Sequence, residues 1–78
     1  MTVEQLMQVV HAQPFQPFRL NMADGRHLDV RHPDFIARSP QGRTVIVFKP
    51  DELFEVVDLL LVASSQILNG KRRPRKTG

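Results

Sequence analysis

The side chains of this sequence that could do chemistry fall into three groups, and the densest is a run of cations near the C-terminus. Lys71, Arg72, Arg73, Arg75 and Lys76 follow one another with only Pro74 between them. Such a run neutralises phosphates and releases their counterions, so it can hold RNA, DNA or another anionic surface without reading a base sequence. Up to about five phosphate contacts would give a log–log salt slope of about −4 to −5. The run has no apolar residue and follows Asn69-Gly70, so it is expected to be a disordered tail. The plain alternative is a tail that only keeps the chain soluble. Base-specific readout is not expected, because single-strand binders expose stacking aromatics. This chain has no Trp and no Tyr, and Phe15, Phe18, Phe35, Phe48 and Phe54 all stand where a core or a connector needs an anchor.

The second group is His27, Asp29 and Arg31, alternate residues of one strand, with His32 just beyond. A His-x-Asp pair can ligate a divalent ion. Two ligands on a solvated face beside Arg31 make a poor cation site, and the pattern reads instead as a polar outer face with a cross-strand Arg19–Asp29 pair. The third group is Asp51, Glu52, Glu55 and Asp58. Paired carboxylates can do acid–base work, but two of these lie in a turn and no nucleophile is placed near them. They read as a solvated acidic face, which in an oligomer would attract a neighbour's basic tail. Ser39, Ser64 and Ser65 lack a nucleophile elbow, and there is no Gly-rich phosphate loop. A domain of about 70 residues also has little room for a pocket of the usual 300–1,000 Å³. The expectation is a chain that is not an enzyme and holds no cofactor and no metal.

Residues 1–70 hold six of the eleven Lys and Arg and all eight Asp and Glu, a net of −2, while the last eight residues carry +5. The formal charge of +3 therefore describes an appendage, and a uniformly basic fold is excluded. The division expected is one globular domain over 1–69 and the basic tail over 70–78. A domain this short buries only roughly 60% of its unfolded surface and is marginal unless disulfides, a metal or association supports it. The sequence has no Cys, which removes disulfides and thiolate sites and leaves association; a homo-oligomer is expected. The longest apolar run, Leu59–Ala63, is far short of the roughly 20 residues that span a bilayer. The N-terminal stretch with Glu4 has no basic start and apolar run of a signal peptide. Lack of Cys fits a reducing compartment, so a cytoplasmic location is expected.

These groups are positioned by short elements. Thr2 and Gln5 make a capping box ahead of Val3, Leu6, Met7 and Val10, which share one helical face. Pro14 ends that helix by about Ala12, and Gln13–Phe18 is an extended connector. From Pro17 the period becomes two: Phe18, Leu20 and Met22, then Leu28 and Val30, flank Asp24-Gly25, which reads as a hairpin. A two-residue loop would pair Leu20 with Asp29 and put carboxylates on the apolar face. A three-residue loop, Ala23-Asp24-Gly25, pairs Leu20 with Leu28, Phe18 with Val30, Arg19 with Asp29 and Asn21 with His27, with Gly25 left-handed in a bulge. Further strands are predicted over Phe35–Ser39, Arg43–Lys49, Leu53–Val57 and Leu61–Ser65. Arg43–Lys49 carries apolar residues on both parities and is expected to be buried on both faces. Asp58 is expected to cap one helical turn, with Leu59 and Leu60 plugging one end of the fold.

The fold class is therefore mainly β with an N-terminal helix. Five or six short antiparallel strands form a strongly bent sheet or a small barrel, because closure removes exposed edges. In element order this looks like the SH3-like and Sm-like small barrels, and that likeness licenses no function. Gln13-Pro14-Phe15 with Pro17-Phe18, Asp24-Gly25-Arg26, His32-Pro33-Asp34-Phe35, Gly42-Arg43-Thr44-Val45 and Asp58-Leu59-Leu60-Leu61-Val62 stand in order. Together they resemble a group of small uncharacterised bacterial proteins over roughly residues 3–65. The resemblance implies no activity, cofactor or catalytic residue, and the basic tail lies outside it. The functional expectation is a small binding module, oligomeric, with sequence-independent nucleic-acid contact through the tail. The alternative is a protein–protein interaction or structural module whose tail is only a solubiliser.

Overall fold

The computed structural model describes residues 1–51 and 53–68. Helix α1 spans Val3–Val10 and opens on the expected capping box: Thr2 Oγ1 accepts from the Gln5 N–H at 3.1 Å, and Gln5 Oε1 accepts from the Thr2 N–H at 3.0 Å. Its apolar face buries Val3, Leu6 and Val10. The chain then runs through the Pro14-Phe15 connector, where Phe15 meets the buried Phe18 edge-on with ring centres 6.1 Å apart. Six strands follow: β1 (Phe18–Met22), β2 (His27–Val30), β3 (Ile36–Arg38), β4 (Thr44–Phe48), β5 (Phe54–Asp58) and β6 (Val62–Ile67).

The β1–β2 hairpin has the register read from the sequence, with Phe18 opposite Val30, Arg19 opposite Asp29, Leu20 opposite Leu28 and Asn21 opposite His27. Gly25 closes the three-residue loop at φ +93°, and its N–H donates to the Met22 carbonyl at 3.0 Å. The alternation puts Phe18, Leu20, Met22, Leu28 and Val30 inside. Burying that set is what excludes a one-residue slip.

All strand pairs are antiparallel, but among the described residues they form two three-stranded sheets and no closed barrel. The orders are β2-β1-β6 and β3-β4-β5. The expected single bent sheet or barrel is thus corrected to two sheets facing one core. The break falls at His32-Pro33. Proline has no N–H for a ladder, and Pro33–Phe35 instead forms a 3-10 turn whose first residues are held by His32 Nδ1, which accepts from the Asp34 N–H at 3.1 Å. The turn consumes Phe35, so β3 starts at Ile36 and is three residues long. A second 3-10 turn, Leu59–Leu61, carries the chain from β5 back to β6, with Asp58 Oδ1 accepting from the Leu60 N–H at 2.9 Å as the sequence predicts.

The core lies between the sheets. Phe18, Leu20, Val30 and Val62 come from one side, Ile36, Val45, Val47, Val57 and Leu59 from the other, and α1 adds its buried face. The helix is held to the second sheet at two places. The Met1 amino group donates to the Leu59 carbonyl at 3.3 Å, and Val3 lies against Gly42 in the β3–β4 turn. Three sequence expectations fail here. Strand β4 is buried on one face only, through Val45 and Val47. Phe35, Phe48 and Phe54 stand in solvent. Leu59 is buried, but Leu60 is 75% exposed and plugs nothing.

Candidate interaction surface

The outer faces of the two sheets differ in chemistry. On the β2-β1-β6 sheet the outward residues are polar and tied to one another. Arg19 holds Asp29 through Nε at 2.7 Å and Nη2 at 3.2 Å, and Asn21 Nδ2 donates to Ser64 Oγ at 3.1 Å and Gln66 Oε1 at 3.2 Å. On the β3-β4-β5 sheet the outward residues are apolar. Ile46 stands opposite Val56 and Ala37, and Phe48 stands opposite Phe54. The two rings are 6.3 Å apart. Phe48 is 40% exposed, and Phe54 and Val56 are each 60% exposed. Only Thr44 opposite Asp58 closes the face with polar groups at one end.

Period-two alternation produces both faces; what differs is the residue placed at the outward parity. In β4 the sequence Thr44-Val45-Ile46-Val47-Phe48 is apolar at every position but the first. Once Val45 and Val47 turn to the core, Ile46 and Phe48 must turn away from it. The same run, apolar at both parities, predicts burial on both faces. Among the described residues, however, no element lies over the second side.

The groups singled out by residue type are dispersed. Asp29 does pair with Arg19, and that hydrogen bond holds its carboxyl below the ordinary carboxylate value. It is therefore committed to a cross-strand pair, with Arg31 Nη2 also 3.6 Å from Asp29 Oδ2. Among the described residues no group of three His, Cys, Asp or Glu is arranged to hold a metal. The described members of the acidic group, Asp51, Glu55 and Asp58, are each engaged with different partners. Glu55 is held below its ordinary value chiefly by its hydrogen bond from Arg26, at 2.9 Å, with Lys49 at 3.4 Å beside it. Since Arg26 also binds Asp24 at 3.0 Å, Glu55 links the β1–β2 loop to the second sheet. Asp58 caps the turn at Leu60, and Asp51 Oδ1 accepts from the Leu53 N–H at 3.2 Å. Glu52 and the cations Lys71, Arg72, Arg73, Arg75 and Lys76 lie outside the described residues.

A groove of about 540 Å³ opens between the β2 edge and the end of β4, floored by Leu28 and Val47 and walled by Phe35, Phe48 and Pro50. A domain of this size is expected to have little room for a pocket of the usual 300–1,000 Å³, and the groove nonetheless falls within that range. The β2 edge along it is unpaired within its sheet, so open sheet edge and apolar wall meet at Phe48. No described helix is long and apolar enough to cross a membrane. Comparison of the chain with protein-family models, with curated proteins and with solved structures finds no match.

Proposed function

We propose that this chain is a non-enzymatic binding module that docks protein on the outer face of β3-β4-β5. One observation carries the reading: Phe48 beside Phe54, and Ile46 beside Val56, in cross-strand register on a face the fold leaves in water. Apolar patches of about 300–600 Å² are the largest that typical monomers show, and they are often functional. The polar outer face of the other sheet sets this one apart, since both are built by the same alternation. The two sheets read as halves of a small SH3-like or Sm-like barrel left open at Pro33. The reading is tested with an apolar reporter dye at high dilution. The full chain should bind it, and the Phe54→Ser, Val56→Ser double variant should lose the signal while keeping its circular dichroism. Unchanged dye binding in a folded variant would overturn the assignment of the face.

The segregation of charge favours a second contact, sequence-independent binding of RNA or DNA through Lys71, Arg72, Arg73, Arg75 and Lys76. Labelled RNA and duplex DNA titrated with the full chain should show a salt slope of about −4 to −5, lost in a chain ending at Gly70. Equal binding by both chains would remove the tail from the function.

A further inference from the structure

We infer that the occupant of the β3-β4-β5 face is a second copy of this chain, related by a two-fold axis that runs along the strands midway between β4 and β5. The inference rests on reading that face as a docking surface. Phe48, Phe54 and Val56, with half-buried Ile46 and exposed Ala37, leave on the order of 350–400 Å² of side chain in water, taking roughly 200 Å² for a whole aromatic ring system and less for the aliphatics. Two such faces remove about twice that area. That total lies below the roughly 1,200 Å² of standard interfaces and in the range of transient ones, so the association is expected to be weak. A two-fold contact sets one patch against itself, so the patch must be complementary to its own copy.

The register shows which axis meets that demand. The cross-strand levels are Thr44–Asp58, Ile46–Val56 and Phe48–Phe54. An axis along the strands keeps each level and exchanges β4 with β5. Phe54 then meets Phe48 of the copy, Val56 meets its Ile46, and Asp58 meets its Thr44. An axis across the strands reverses the levels and sets the Asp58 carboxylate on the copy's Phe rings, where burying an unpaired charge is costly. Face-to-face sheets pack about 10 Å apart and within about 30° of alignment, over strands here of three and five residues.

Sedimentation of the full chain across a wide concentration range reads the association, and two single variants read the axis. The weight-average mass should rise toward twice 8.9 kDa. Ile46→Lys and Val56→Glu should each raise the dissociation constant about 30-fold or more. Mixed one to one, the two variants should regain association by about tenfold or more, because position 46 of one copy meets position 56 of the other. A mixture that stays as weak as its parts would overturn the axis, and a dimer untouched by either variant would overturn the surface. Should Ile46→Lys fail to fold, concentration-dependent methyl shifts of the unaltered chain decide. Shifts centred on Ile46 and Val56 support the interface, and shifts centred on Leu60 and Leu61 refute it. A chain that remains monomeric but binds the dye at this face loses the second copy and keeps the docking reading; one that does neither loses both.

Discussion

Replacing Gly25 by Val probes the turn that sets which residues of the first hairpin reach the core. Gly25 sits at φ +93°, and a Cβ built on it meets no atom within 4 Å, so the substitution adds no clash and its cost is conformational. Left-handed backbone costs an L residue roughly 1–2 kcal/mol, and a β-branched side chain takes the upper end. Domains of this size are stable by roughly 4–12 kcal/mol, and 1 kcal/mol moves their melting point by about 4–8 °C. Gly25→Val should therefore lower Tm by about 8–16 °C, and Gly25→Asn by about half as much, since Asn tolerates this region. Urea unfolding should show a lower midpoint at unchanged slope, because the same surface is exposed on unfolding. The loop is tied on both sides: Ala23 N–H donates to the Leu61 carbonyl and Arg26 N–H to Asp24 Oδ1. It cannot rearrange freely to absorb the strain. Equal melting of the Val variant and the unaltered chain would refute the three-residue loop and with it the Leu20–Leu28 register.

Two further outcomes follow from the contacts between elements. Gly42 is also left-handed, at φ +74°, but its Cβ would lie 3.3 Å from Val3 Cγ1; Gly42→Ala should cost more than Gly25→Ala, and the excess should shrink in a Val3→Ala background when both are measured by thermal unfolding. Glu55→Gln should destabilise the fold at neutral pH. The folded carboxyl titrates below its ordinary 4.5 because of Arg26, so its contribution is present above that value and is lost as pH falls through the folded pKa. Melting curves of the two chains should converge in acid, and a gap that persists at low pH would refute the pairing.

Much of the fold was legible locally because local chemistry decided it. The capping box at Thr2, the hairpin register around Gly25 and the Asp58 cap each depend on residues within a dozen positions of one another. What could not be read was the partner of each strand. Strand β6 pairs with β1, Leu20 against Ser65, and nothing in either strand's pattern names the other. The break at Pro33 was legible as a strand end but not as the gap between two sheets. The exposure of Phe54 was missed for the same kind of reason: its parity is readable, but whether a layer covers that parity depends on every other element in the chain.

That dependence bears on the surface as much as on the fold. A strand apolar at both parities states a need for two covering layers. Here the inner parity of β4 is covered by the opposite sheet and by α1, whose eight residues spend Val3, Leu6 and Val10 on the same core. No described element remains for Ile46 and Phe48. The polar outer face of the first sheet shows that this chain can place Arg, Asn, Asp and Gln at outward positions where water is the neighbour. The departure from that rule on β4 and β5 falls at cross-strand positions matched in register, which makes the bare apolar face a property of the sequence. The second sheet carries an outer face that calls for a cover, and no element among the described residues provides one.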